Sequence, residues 1–126
     1  MPIPLNILVV DDDAPLLNAV EIVLSKRGHS VIKVSSARNA LRLFASLKVD
    51  VVVTDVLMPD MDGLSFVKEI RRHSATIPIL MLSADAGMET VRKAAQLGAN
   101  GYLMKPFDSD QLVKKVESLG QTAAKD

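Results

Sequence analysis

Asp55 closes the apolar run Val51-Val52-Val53-Thr54 and opens the segment Val56-Leu57-Met58-Pro59-Asp60-Met61-Asp62-Gly63. A β-branched run stopped by a proline and an Asp-Gly pair reads as a buried strand that delivers one carboxylate to a loop. The device recurs along the chain. Ile7-Leu8-Val9-Val10 ends in Asp11-Asp12-Asp13, Ile79-Leu80-Met81-Leu82 ends in Ser83, and Gly101-Tyr102-Leu103-Met104 ends in Lys105-Pro106. If these strands are parallel, Asp11, Asp12, Asp55, Ser83 and Lys105 meet at one edge of one sheet. Asp11, Asp12 and Asp55 are hard oxygen donors with no histidine or cysteine among them, a set that suits magnesium better than zinc. Three converging carboxylates repel one another unless a cation or proton joins them, so helix capping is a poor account of that trio. For Asp13 it is the better account. A carboxylate nucleophile, a magnesium site, an ammonium and a hydroxyl are together what in-line phosphoryl transfer to an aspartate requires: metal and lysine neutralise developing charge, and the hydroxyl binds a phosphoryl oxygen.

The segments between the strands carry helical spacing. Asp13 is the expected N-cap of a first helix with Pro15 in its first turn, an inward stripe of Leu16, Val20, Val23 and Leu24, and a stop at Gly28. A short strand over Val31–Val34 follows, and Ser36 caps a second helix that turns Ala40, Leu41, Phe44 and Leu47 inward. A third helix is expected from about Gly63 to Arg72 with Leu64, Val67 and Ile70 inward. A fourth runs over roughly Glu89–Leu97 and ends at Gly98, and Asp108 caps a fifth with Leu112, Val113, Val116 and Leu119 inward. Strict strand and helix alternation predicts an α/β fold, a doubly wound parallel sheet with helices on both faces, because right-handed crossovers return the chain each time. The first, third and fourth strands are the most continuously apolar and belong in the middle, while Lys33, Gly101 and Lys105 suit the edges. The expected five-stranded sheet has the flavodoxin-like order 2-1-3-4-5, whose ligand crevice lies outside the carboxyl ends of strands 1 and 3. Asp11, Asp12 and Asp55 fall there.

A chain of 126 residues with 48% apolar content can fill one core without disulfides. Residues 1–126 therefore read as one domain with an ordered core of about 5–120 and a frayed tail from Gln121 to Asp126. The absence of cysteine excludes thiol chemistry and fits a reducing compartment, so a cytoplasmic location is expected. The 15 basic residues balance the 15 acidic ones, which argues against direct binding to nucleic acid. Apolar runs are strand-length and Met1-Pro2-Ile3-Pro4-Leu5 lacks the basic region of a signal peptide, so no membrane association is expected.

The blocks Val9-Val10-Asp11-Asp12, Asp55 to Gly63, Ser83-Ala84 and Gly101-Tyr102-Leu103-Met104-Lys105-Pro106-Phe107 resemble the receiver domain of bacterial response regulators, in order and over nearly the whole chain. The resemblance implies that Asp55 is the phosphoacceptor for a sensor histidine kinase or phosphotransfer protein. It implies that Asp11, Asp12 and Asp55, with the Leu57 backbone carbonyl, hold magnesium, for which manganese could substitute. Ser83 matches the switch hydroxyl, Lys105 the phosphate-binding lysine, often joined to its proline by a cis bond, and Tyr102 the aromatic switch. The family varies at Leu57 and Asp85, which flank the phosphoryl site and bear on phosphoryl lifetime. Such a module is no enzyme in the ordinary sense, although it can promote its own phosphotransfer and autodephosphorylation. It would act through a downstream target or a removed output domain, as a monomer or a phosphorylation-dependent dimer.

Two rivals are weaker. A phosphatase of the haloacid dehalogenase type needs a second acid two residues after the nucleophile, where Leu57 stands, and a flavin or nucleotide binder has no Gly-x-Gly-x-x-Gly or Gly-Lys-Ser/Thr loop to use. His29 and His73 read as structural, and the methionines read as gap fillers.

Overall fold

The computed structural model describes residues 3–84 and 87–124, with the backbone alone for 122–124. Its elements alternate as β1 (Asn6–Val10), α1 (Ala14–Lys26), β2 (Ser30–Val34), α2 (Ala37–Phe44), β3 (Val51–Asp55), α3 (Gly63–His73), β4 (Ile79–Ser83), α4 (Met88–Leu97), β5 (Gly101–Met104) and α5 (Ser109–Ala124). All pairings are parallel and the order is β2-β1-β3-β4-β5. β3 and β4 are buried at every residue, as strands covered on both faces must be. The register places Val10 beside Thr54, Asp55 beside Leu82 and Ser83 beside Met104, so the strand ends form one edge.

The period of two along each strand divides the core. Leu8, Val10, Val52, Ile79 and Met81 face α2, α3 and α4, where Phe44, Phe66, Val67, Ile70 and Ala94 cover them. Ile7, Val9, Val51, Val53, Leu80 and Leu82 face α1 and α5, under Leu17, Val20, Leu24, Leu112 and Val116. Leu17 of α1, Ala37 of α2 and Phe66 of α3 are buried although the sequence reading did not turn them inward, and Leu16 is partly buried against the same core as expected. α2 ends at Phe44, so Leu47 lies beyond the helix expected to contain it.

Asp13, Ser36 and Asp62 accept hydrogen bonds from the N–H groups of Leu16, Asn39 and Ser65, and each cap contributes about 1 kcal/mol. Asp108 and Gln111 cap α5 reciprocally, each side chain accepting from the other's backbone N–H at 2.8 and 3.1 Å. The Gln121 side chain accepts from Ile3 N–H and donates to Ile3 O, and α5 continues to Ala124.

Gly63, the first residue of α3, backs directly onto the strand that ends in Asp55. A Cβ there would meet the Asp55 carbonyl oxygen and come within 2.7 Å of Val56 Cα, and neither is a side chain that can rotate away. Gly63→Ala should therefore cost about 3 kcal/mol. That corresponds to a drop in Tm on the order of 10 °C, to be read by chemical and thermal denaturation. An unchanged midpoint would show that the loop yields without cost.

Candidate functional site

The site is built on the carboxyl ends of β1, β3, β4 and β5. Asp11 and Asp55 are buried, Asp12 is exposed, and oxygen atoms of the three carboxylates lie within 4.8 Å of one another. Lys105 crosses from the end of β5 and donates to Asp11 Oδ2 at 3.0 Å and to Asp55 Oδ2 at 3.2 Å. One ammonium thus faces three carboxylates, an excess of negative charge of the size a divalent cation neutralises. The donor set is all oxygen and opens to solvent at Asp12, which fits magnesium with part of its water shell retained.

The remaining oxygens are also engaged. Asp11 Oδ1 accepts from Asp13 N–H at 3.0 Å, and Asp55 Oδ1 accepts from Val56 N–H at 2.7 Å and Leu57 N–H at 3.4 Å. These bonds orient both carboxylates from the loops that follow them. Burial pushes the Asp11 carboxyl above its ordinary range, helped by the charge of Asp55 and opposed by the bonds from Asp13 N–H and Lys105. Burial also works against the Lys105 charge, but the hydrogen bond to Asp11 and the fields of Asp11 and Asp55 outweigh it and hold the ammonium above its ordinary value.

The signs of these shifts differ in consequence. Asp11, raised in the folded state, destabilises the metal-free protein at neutral pH, and that loss is relieved as pH falls through the raised value. Lys105 contributes stability that is complete below its ordinary value of 10.5 and is lost as pH rises through the raised one. In chelator, Asp11→Asn should melt above the wild type at pH 7, and the gap should narrow as pH falls through the raised value of Asp11. A gap that is constant with pH would show that Asp11 carries no such penalty.

Ser83 is buried at the end of β4, and its carbonyl accepts from Lys105 N–H at 2.8 Å, which ties the serine strand to the lysine loop. The Lys105-Pro106 peptide is cis. Tyr102 sits in β5 opposite Met81, half-buried against the core layer that includes Ala94 of α4, and so stands away from the acidic pocket. Leu57 projects its side chain into solvent at 68% exposure, so it has no packing role that would explain its place in the loop. Asp85 lies outside the described residues. The structure therefore brings Asp11, Asp12, Asp55 and Lys105 into one pocket, sets Ser83 at its rim and Tyr102 on the far side of β4.

Residues that gave no sequence signal also shape the region. Asp60 binds the start of α2 from the loop after β3, 24 positions away, a separation no local pattern reveals. Arg71 donates to Gly98 O, Ser74 O and Asn100 Oδ1, fastening the end of α4 to α3. Gly98 has φ 112°, the left-handed conformation that ends α4 and that glycine adopts without strain. His29 is structural, as expected. Its Nδ1 accepts from Leu5 N–H, its Nε2 meets Glu117 at 2.8 Å, and Glu117 also binds Arg27, joining the start of β2 to α5. His73 ends α3 with its ring 6.4 Å from that of Phe44.

A doubly wound sheet with an acidic pocket at the β1/β3 crevice and a lysine across it defines a receiver-type fold and site. Residues 7–117 match the family model described as the response regulator receiver domain, and the chain belongs to that family. It is 38% identical over 107 residues to the Regulatory protein AtoC of Escherichia coli (strain K12), covering 85% of this chain and 23% of that protein. It is 38% identical over 116 residues to the Response regulator MprA of Mycolicibacterium vanbaalenii, covering 92% of this chain and 50% of that one. The chain thus spans half or less of the length of these relatives. The structure of the Vibrio cholerae chemotaxis protein CheY4 superimposes with a TM-score of 0.89 at 33% identity, over 93% of this chain and 99% of that one. Receiver domains are signalling modules of two-component systems, not enzymes in the ordinary sense.

Proposed function

We propose that Asp55 accepts a phosphoryl group from the phosphohistidine of a sensor kinase or phosphotransfer protein. An Asp55 oxygen attacks phosphorus in line with the breaking N–P bond, and the imidazole nitrogen leaves with the bonding pair and takes up a proton. Asp11, Asp12, Asp55 and the Leu57 carbonyl would hold magnesium, or manganese in its place, which would supply charge neutralisation to the phosphoryl oxygens. Lys105 then exchanges its bond to Asp55 for one to a phosphoryl oxygen, and the Ser83 hydroxyl donates to another. The observation that carries this reading is the central-strand carboxylate sharing one lysine with a second buried carboxylate. Acetyl phosphate should add one phosphoryl group in magnesium and none in chelator, as read by intact mass. Equal labelling in both conditions would overturn the metal-dependent mechanism.

The output side of the proposal rests on α4. Among the residues of α4 only Ala94 is buried, its Gly87 N-cap makes no side-chain cap, and the Arg71 clamp fastens its end. Met88 and Met104, expected as gap fillers, are instead 76% and 50% exposed at the start of α4 and the end of β5. Val91, Ala94 and Tyr102 line a shallow groove of about 170 Å³ between these elements. When the phosphoryl group engages Ser83, the α4–β5 surface shifts toward a second arrangement that a target, an output domain or a second copy can bind. With beryllofluoride the largest change in amide exchange should fall between Ala84 and Phe107. Change confined to the Asp11 and Asp55 loops would place the output elsewhere. Residues 1–126, cysteine-free, would act as one domain in the cytoplasm, a reducing compartment.

A further inference from the structure

The expected metal ligand Leu57 contributes a backbone carbonyl, which no rotamer of its own can aim. Its direction is set by the path of the loop from Val56 to Asp62. The start of that loop is held by Asp55 Oδ1 on Val56 N–H, and by the buried side chains of Val56 and Met58. The far end is held by the 2.6 Å bond from Gly63 N–H to Val56 O and by the Asp62 cap on α3. Between them, the segment Pro59–Met61 is tied sideways by Asp60. Its carboxylate accepts from Ser36 Oγ at 2.8 Å, Arg38 N–H at 2.9 Å and Ala37 N–H at 3.4 Å. Three donors from one helix start fix the carboxylate in position as well as direction, and two of them belong to the backbone of α2, itself rooted in the core through Ala37, Ala40 and Phe44. The Ser36 hydroxyl that donates to Asp60 also accepts from Asn39 N–H, so the tie and the helix cap share one group.

We propose that Asp60 is a positioning residue for the phosphotransfer site: by docking the β3–α3 loop on the N-terminal turn of α2, it holds the Leu57 carbonyl toward the acidic pocket. The inference rests on the proposed magnesium ligation by that carbonyl. Groups that orient metal ligands typically change affinity by about 10- to 100-fold when removed. A substitution that only loosened α2 would lower stability and leave the metal requirement as it was.

The test is a magnesium titration of the thermal midpoint in wild type, Asp60→Ala, Asp60→Asn and Ser36→Ala, with acetyl phosphate labelling at saturating metal. Asp60→Ala should raise the half-saturating magnesium concentration about tenfold, with the labelling rate recovering once metal is saturating. Asp60→Asn, whose amide oxygen can replace Oδ2 and keep the Ser36 and Arg38 bonds, should lie near the wild type. Ser36→Ala, which leaves the backbone donors, should lie between. In chelator, Asp60→Ala should also speed amide exchange in residues 56–62 while β1 and β3 stay protected. A lowered midpoint with unchanged half-saturation in both Asp60→Ala and Ser36→Ala would overturn the inference alone. A wild type with neither magnesium-dependent stabilisation nor labelling would overturn the function proposal, and this inference with it.

Discussion

Asp55→Asn should abolish phosphoryl incorporation. Asparagine keeps the shape of the side chain, and its amide oxygen can accept from Val56 N–H as Asp55 Oδ1 does at 2.7 Å, so the loop geometry should survive. What is lost is the anionic oxygen that performs the attack and forms the mixed anhydride. Asp11, Asp12 and Asp13 are nearby carboxylates, yet Asp11 is held by Asp13 N–H and Lys105, and Asp13 is spent on the cap of α1. Intact mass after acetyl phosphate and magnesium should therefore show one adduct in the wild type and none in the variant. An adduct of equal yield in Asp55→Asn would sink the assignment and point to a different strand-end carboxylate.

Magnesium should stabilise the fold, and Asp12→Ala should remove most of that gain. Metal bound only by the native state stabilises by mass action, about 2.7 kcal/mol at a hundredfold excess over Kd. The pocket is arranged for such a response, because Asp11 and Asp55 already share Lys105 while Asp12 sits exposed at its mouth. Removing the exposed Asp12 would take away one of the proposed anionic ligands without opening the core. In chelator the same change relieves repulsion among three carboxylates, so the variant should melt slightly above the wild type. Thermal melts in chelator and in excess magnesium decide this. Identical wild-type midpoints in the two buffers would count against a metal site.

Where the sequence reading succeeded, local chemistry and position coincided. Val51–Val53 and Ile79–Leu82 are apolar without interruption, as a central strand of a parallel sheet demands, so the placing of these strands in the middle of the sheet followed from residue type. Asp13, Ser36 and Asp108 reach backbone N–H groups within three residues, and such caps are legible from spacing. The strand-end placement of Asp11, Asp55 and Lys105 followed from topology, because parallel strands put all their carboxyl ends on one edge. The misjudged side chains were of another kind. Leu17 lies about 100° of helix rotation from its neighbour Leu16 and packs into the same core beside it, a depth set by how α1 sits on the sheet and α5. Met88 and Met104 have the composition of core residues, but they fall where α4 lies thinly on the sheet and β5 forms its edge.

By itself the sequence determined the alternating elements, their order in the sheet and the presence of an acidic, lysine-bearing edge, because each depends on residue type and short-range spacing. Only the tertiary structure decided that Lys105 bridges Asp11 and Asp55, that Asp60 reaches Ser36 across 24 positions, and that Arg71 clamps Gly98 while the start of α4 has no side-chain cap. Those contacts join side chains far apart in the chain, and their 3 Å geometry is set by packing two helical layers on a sheet. Local pattern carries no information at that range.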